Sequence, residues 1–417
     1  MKIALKLGLF LFVVSLAFSM GFVWRDVRLG VSPSKQAFQR LLAGKIDDGV
    51  TPTQLFRDNY NVILSQFHRP IDQTNLRTSG MEGLFASLGD PHTVFMERQE
   101  AENFSIETRG NYAGIGARLG PDPLGARVST VFENGPAFKA GLKPGDIVTR
   151  VDKTDIAGMS IDETVNFVRG EENSKVTLRV LREGESQPLR ITITRAVVIV
   201  PTAEGTMIEG TNVGYITVSQ FAETTVAQFD EALGEVLRND PDGIVIDMRG
   251  NPGGLLETAV AMLSNFVDGK PVVSMLQKGG RREQSATYRG RTIGYTGPIV
   301  VLIDESSASA SEIFAGVMRD YKKATLVGVH SYGKASVQTV ILLKDLNQAK
   351  VTVARYYLPS GENISRVVDE DGMYVSGGIK PHFVVELDRN VVWEPGKPEK
   401  DAQLAAAINL IKQKRGN

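Results

Sequence analysis

Residues 298–338 read PIVVLIDESSASASEIFAGVMRDYKKATLVGVHSYGKASVQ. Pro298 to Ile303 is an apolar, β-rich run that ends in a polar loop. From Ser309 onward, Ile313, Val317 and Tyr321 recur at roughly helical spacing, which predicts a helix. A nucleophile fits well where a strand ends and a helix begins, because the helix's first free N–H groups point at whatever it attacks. Ser306, Ser307, Ser309 and Ser311 all offer a hydroxyl there. The residues alone do not choose among them, since serines in such clusters commonly cap helices or fill turns. Downstream, Gly333-Lys334-Ala335-Ser336 precedes Gln338. A lysine in a dry, apolar site has a lowered pKa and can act as a serine's base, although most lysines lie at the surface. A Ser-His-Asp triad would draw on one of four histidines: His68, His92, His330 or His382. His330 is nearest in sequence, but its loop-like surroundings offer nothing to orient it. Gly328 to Lys334 also satisfies GxxxxGK. A phosphate loop then needs Ser or Thr and a helix, whereas Ala335 and a strand pattern at Val337–Leu343 follow here.

Working outward, Gly243-Ile244-Val245-Ile246-Asp247 reads as a buried strand. It ends at Met248-Arg249-Gly250-Asn251-Pro252-Gly253-Gly254, and a helix is expected from Leu255 to Phe266. A strand, a glycine turn and a helix gather free N–H groups at one spot, which suits an oxyanion hole. A plain tight turn is the alternative. Val213 to Phe221 reads as a strand and its exit, Val226 to Leu237 as an amphipathic helix, Lys350 to Leu358 as a strand and Asp401 to Lys414 as a helix.

Residues 106–197 look like a PDZ module. Ala113-Gly114-Ile115-Gly116 enters a strand, Gly135-Pro136-Ala137 starts a short helix, and Ala140-Gly141-Leu142-Lys143-Pro144-Gly145-Asp146 leads into Ile147–Asp152. Such a module adds a peptide's end as an extra strand and holds its carboxylate on backbone N–H groups. Those donors are expected in Ala113–Gly116, without side-chain preference for a particular tail. A dinucleotide fingerprint is poorly supported, because Leu119 stands where its third glycine belongs. Residues 33–105 read as mostly helical. A break falls at Leu88-Gly89-Asp90-Pro91-His92-Thr93, and a short helix is expected from Arg98 to Phe104. No chemistry is assigned to this region.

The 417 residues suffice for two or three domains. The 47 basic and 48 acidic side chains nearly cancel, so no nucleic-acid partner is expected. The chain has no cysteine, which excludes thiol catalysis and structural disulfides. Lys2 and Lys6 precede the uncharged run Leu7–Trp24, which Arg25, Asp26 and Arg28 close. Residues 1–24 read as a signal peptide or an N-terminal membrane anchor, with Ala17-Phe18-Ser19 a poor cleavage site. Both readings put the remainder across a membrane, in the periplasm or cell envelope.

Ser307 to Ile313, with Gly333 to Gln338, strongly resembles the C-terminal processing peptidases, or tail-specific proteases. Their pattern is Ser-Ala-Ser-Ala-Ser-Glu-Ile followed by Gly-Lys-x-Ser-Val-Gln, and Ala335 departs from a usual glycine. Asp247 to Gly254 matches the family's Asp-x-Arg-x-Asn-Pro-Gly-Gly. Leu88 to Thr93 resembles its Leu-x-Asp-Pro-x-Ser/Thr turn. His382 departs from its usual aspartate. The resemblance covers residues 35–385. It implies an α/β (α+β) fold, a ClpP/crotonase-like protease core with an inserted PDZ domain and an N-terminal helical region. The implied order is 25–105 helical, 106–197 PDZ, 198–385 catalytic core and 386–417 a C-terminal helical extension. It also implies Ser309 as nucleophile, Lys334 as general base and Gln338 as the group that orients the lysine. The N–H of Gly253 or Gly254, with that of Ala310, would form the oxyanion hole. No metal or organic cofactor is implied. Expected partners are protein or peptide substrates with a free C-terminus, with room for an adaptor or a homo-oligomer, and the membrane through the N-terminal segment. A catalytically dead PDZ scaffold is the competing class, and it leaves the intact Ser309, Lys334 and Gln338 unexplained.

Overall fold

The computed structural model describes residues 51–387 and 394–415, so the Leu7–Trp24 run lies outside the described residues. Among the described residues no helix is long and apolar enough to cross a membrane. The chain divides into two compact units, residues 1–81 and 82–417. In the first, helix α1 (Pro52–Gln66) begins with Pro52, which needs no N–H partner. Thr51 and Gln54 form a capping box in front of it. Helix α2 (Gln73–Ala86) runs across the boundary.

The second unit opens with strand β1 (Val94–Met96) and helix α3 (Arg98–Arg109). This helix runs past the expected end at Phe104 because nothing breaks it before Gly110. Gly110 takes a left-handed conformation at the C-cap (φ 71°). The PDZ strands follow: β2 (Asn111–Gly114), β3 (Ala117–Asp122) and β4 (Gly125–Val131), then helix α4 (Pro136–Lys139). Next come β5 (Ile147–Val151), β6 (Thr154–Asp155), helix α5 (Ile161–Val168), β7 (Lys175–Leu181), β8 (Leu189–Thr194) and β9 (Ala196–Ile199). The sheet order is β3-β4-β5-β7-β8, with β6 on β5, while β2 pairs with β9. Alternate residues such as Val176, Leu178 and Val180 of β7 are buried in a core private to this module. The Lys143–Asp146 turn closes because Asp146 accepts the Lys143 N–H at 2.8 Å and pairs with Arg182 at 2.7 Å.

The larger core starts with β10 (Ala203–Met207) and β11 (Val213–Val218). Helix α6 (Thr225–Leu237), β12 (Gly243–Asp247) and helix α7 (Leu256–Leu263) follow. After β13 (Pro271–Gln277) and β14 (Arg282–Ala286) come β15 (Ile299–Ile303), helix α8 (Ala310–Asp320) and β16 (Thr325–Gly328). The chain ends with β17 (Ser336–Leu342), β18 (Gln348–Tyr357), β19 (Val367–Val368), β20 (Tyr374–Ser376), β21 (Phe383–Val384) and helix α9 (Ala402–Arg415). One sheet has the order β10-β11-β12-β15-β16-β21 and is parallel except at β10. Every residue of β12, β15 and β16 is buried. The reason is that both faces are covered, as a parallel sheet requires. Ile246, Val301 and Ile303 pack toward Phe229 and Phe314, whereas Val245, Val300 and Leu302 pack against Leu404 and Ile408 of α9.

Helix α9 is also held by charge. Arg249, just beyond β12, reaches Asp247 and Asp401, each at 2.6 Å, all three buried. A second, antiparallel sheet has the order β1-β18-β13-β14, with β17 on the other side of β18. His382, at the position that departs from the family pattern, has a structural partner. Its Nδ1 accepts the Leu326 N–H at 2.9 Å, which stitches β21 to β16.

Candidate active site

Ser309 sits at the junction of β15 and α8 with φ 54° and ψ −113°. A non-glycine residue held there is strained, and such strain concentrates at nucleophile turns between a strand and a helix. The other serines of the cluster have structural work. Ser307 Oγ donates to Met248 O at 2.9 Å, and Ser311 Oγ donates to Asn251 O at 2.9 Å. Both are buried, Ser306 is exposed, and Ser309 is half-buried. The structure thus separates four hydroxyls that the sequence leaves equivalent.

Glu312, one turn into α8, is completely buried. Its Oε2 accepts the backbone N–H of Ser309 at 2.8 Å and that of Lys334 at 2.9 Å. Its Oε1 accepts the Gly333 N–H and the Ser331 hydroxyl, both at 2.6 Å. Burial pushes this carboxyl upward, and the four donors oppose that. Tyr356, also buried, donates to Lys334 O at 2.6 Å and lies 3.4 Å from Ser309 O. One side chain therefore gathers the N–H groups of Ser309 and Lys334, and another gathers their carbonyls. Neither was a candidate in the sequence reading. The available signal was an acid three residues after a helix-capping serine, the spacing of a capping box.

Lys334 is half-buried. Burial lowers its pKa, Lys350 lowers it further, and Glu312 and Asp90 hold it up. A strand follows it rather than a helix, so the phosphate-loop geometry is absent. His330 stands against Tyr374, with ring centroids 6.2 Å apart. The histidine that couples electrostatically to Lys334 is His92, which sequence proximity did not suggest. Gln338 lies at a bulge in β17, where Nε2 donates to Ser336 Oγ at 2.8 Å and Thr352 Oγ1 at 3.2 Å.

The glycine turn comes up against the elbow. A Cβ placed on Gly253 would stand 2.8 Å from Ser309 Cβ and 2.9 Å from Ala310 N, so only glycine fits. Asn251 ties turn and elbow together. Its carbonyl accepts the Ala308 N–H at 3.0 Å and its Nδ2 donates to Val218 O at 2.8 Å. Its Oδ1 takes the Gly253 N–H at 2.8 Å, so that donor is occupied. The N–H groups of Gly254 and Ala310 have no partner among the described residues.

The Ala113–Gly116 stretch is in the PDZ module. Ala113 and Gly114 are paired with β9, while the N–H groups of Ile115 and Gly116 have no partner among the described residues. A cavity of about 270 Å³ opens beside Ile115, lined by Leu119, Val165, Val168, Arg118 and Arg169. Arg169 donates to Asn103 at 2.6 Å and lies over the Tyr112 ring at 5.4 Å. Arg118 and Arg169 thus bring side-chain charge to the cavity beside the backbone of Ile115.

An α/β core with a strained serine elbow, a half-buried lysine whose backbone shares the elbow's buried carboxylate, and a PDZ module define the class. The model of peptidase family S41 matches residues 212–385, and that of the PDZ domain matches residues 127–182. The carboxy-terminal processing protease CtpB of Bacillus subtilis (strain 168) is 32% identical over 310 residues, 74% of this chain and 64% of that protein. The carboxy-terminal-processing protease of Bartonella bacilliformis is 32% identical over 337 residues, 79% of this chain and 74% of that protein. A solved photosystem II D1 C-terminal processing protease is 29% identical, with 83% of this chain and 89% of that chain covered and a TM-score of 0.45. The chain belongs to the serine peptidases of family S41, the carboxy-terminal processing proteases. It spans 64% of the length of the Bacillus CtpB relative.

Replacing Glu312 by Gln would turn an NH₂ toward two of the four donors. Each buried donor left unpaired costs roughly 1–3 kcal/mol. The E312Q protein should unfold at clearly lower denaturant than the parent and lose most turnover, measured by equilibrium unfolding and peptide cleavage.

Proposed function

We propose that this chain is a serine endopeptidase that uses a Ser309–Lys334 dyad and reads the C-terminal tails of its substrates with its PDZ module. The observation that carries the reading is the convergence of Ser309 and Lys334 on the buried carboxylate of Glu312. In the reaction the Ser309 hydroxyl attacks a peptide carbonyl, and neutral Lys334 takes its proton. The oxyanion meets the N–H groups of Ala310 and Gly254, with Gly253 permitting the close approach. Lys334 then returns the proton to the leaving amine. Water, activated by the same lysine, releases the acyl group from Ser309. Gln338 orients the lysine. In this reading residues 106–197 are the PDZ module and 198–385 the catalytic core, around the matched segments 127–182 and 212–385.

The tail's carboxylate would dock on the N–H groups of Ile115 and Gly116, with Arg118 and Arg169 beside it. Its last side chain would enter the apolar cavity. Protein or peptide substrates with a free C-terminus are the partners. The enzyme would act outside the cytoplasm, in the periplasm or cell envelope, exported or anchored by residues 1–24.

Ser309→Ala and Lys334→Ala should each abolish peptide cleavage, with the double variant little worse than either, since members of one unit are strongly non-additive. His330→Ala should keep most activity, and a folded but dead H330A enzyme would replace lysine by histidine as base. Because the base works unprotonated, turnover should rise with pH. The midpoint of that rise should lie below the ordinary lysine value of about 10.4, in line with the downward shift at Lys334.

A substrate amidated at its C-terminus should be cleaved more slowly than its free-acid twin. The loss of one charge-assisted hydrogen bond weakens binding about 10- to 150-fold. Equal rates in a competition assay would show that the PDZ groove does not read tails.

Cell fractionation should recover the protein outside the cytoplasm. An intact, soluble cytoplasmic pool would count against residues 1–24 as an export signal.

A further inference from the structure

The Asp90-Pro91-His92-Thr93 turn lies beside the site rather than in it, yet a run of hydrogen bonds connects it to Gln338. Asp90 Oδ1 accepts the His92 N–H at 3.0 Å, and Oδ2 accepts the Thr93 hydroxyl at 2.6 Å. Thr93 is buried, and its Oγ1 accepts the Thr352 N–H at 3.0 Å. The Thr352 side chain also stands close enough to the Asp90 carboxylate to help lower its pKa. On its other side, Thr352 Oγ1 accepts from Gln338 Nε2 at 3.2 Å, and the same nitrogen donates to Ser336 Oγ at 2.8 Å. Pairing of β1 with β18 sets the turn against the strand that carries Thr352, and Thr352 is the cross-strand partner of Gln338.

The direction of these bonds follows from what each group is able to do. An ionised carboxylate only accepts. The Thr93 hydroxyl gives its one proton to that carboxylate, so it must accept from its other neighbour, the Thr352 N–H. Thr352, held in this way, meets the NH₂ of Gln338 with its Oγ1. Both amide hydrogens of Gln338 are used by Thr352 and Ser336, which leaves Oε1 as the acceptor for an amine. Lys334, Ser336 and Gln338 alternate along the chain, so they share one face where it is extended.

We propose that Asp90 is a positioning residue for the dyad: through Thr93 and Thr352 it locks the Gln338 amide in the orientation that presents Oε1 to the Lys334 amine. The proposal rests on the reading of Lys334 as base. Burial would raise the Asp90 carboxyl, but bonds from Thr352, Thr93 and the His92 N–H bring it below its ordinary range, so it is ionised at neutral pH. The charged groups facing Lys334 are Lys350, Glu312 and Asp90, with His92 alongside. Asp90 attracts the ammonium and so holds the lysine pKa up.

The test measures kcat against pH on a free-acid peptide, with the full chain and a Ser309→Ala control. Asp90→Asn keeps an oxygen for the His92 N–H but offers an NH₂ where a hydroxyl donated. It should lower plateau kcat by about 10- to 150-fold, the range of one charge-assisted hydrogen bond. It should also move the alkaline limb to lower pH, because an attraction on the ammonium is gone. Thr352→Val should lose a similar factor with the limb in place, and Thr352→Ser should restore it. KM should change little in each. In a Gln338→Leu background, neither Asp90→Asn nor Thr352→Val should lower kcat further. Parental kcat and pH profile in both variants, or losses that add fully to that of Q338L, would overturn the proposal. If Asp90→Asn fails to fold, the Thr352 Val and Ser pair decides. A parent that cleaves no better than the Ser309→Ala control would instead overturn the dyad reading, and this proposal with it.

Discussion

A carboxylate removed from water is stable only where donors replace the water it lost. Glu312 has four, and they arrive from two distant stretches of chain: the elbow after β15 and the loop before β17. Neither stretch could close alone around that charge. The elbow supplies one donor, and residues 331–334 supply the other three. The loop of Ser309 and the loop of Lys334 therefore form together, and their separation is set by one side chain. Tyr356 repeats the arrangement on the carbonyl side.

The layers around this contact explain how it is held in register. Parallel strands end at one edge of the sheet, so the turn after β12 and the elbow after β15 are neighbours without any special device. Asn251 then fixes their spacing. The reverse face of the same strands is sealed by α9, whose approach is fixed by Asp401 on the buried Arg249. Removing one member of such a buried pair typically costs about 3–5 kcal/mol. The last helix of the chain thus supports the turn that leads to Gly253 and Gly254, although it touches neither.

Much of this architecture was legible in the residues. Continuous apolar runs marked β12 and β15 as strands buried on both faces, and the glycine turns between strand and helix marked the edge where chemistry could occur. The PDZ run at 140–146 was equally plain, because its turn depends on a local Asp146 bond. What escaped the sequence is what depends on distant partners. Four serines in six residues look alike until φ and the acceptors at Met248 and Asn251 separate them. Gly253 and Gly254 look alike until the Asn251 side chain occupies one N–H. Arg118 and Arg169, unremarked in the sequence, meet only where the cavity forms between them. His92 is remote from Lys334 along the chain, and only the pairing of β1 with β18 brings it near.

The backbone at Ser309 is the place where the fold works against itself. A conformation that suits glycine is imposed on a residue with a Cβ, and neighbouring bonds hold it there. Glycine at this position would relax the turn and strengthen the molecule while removing the hydroxyl proposed as nucleophile. Selection for robustness and selection for cleavage therefore pull in opposite directions at a single codon. A lineage released from the need to cut would drift toward the quieter residue there and keep its PDZ module.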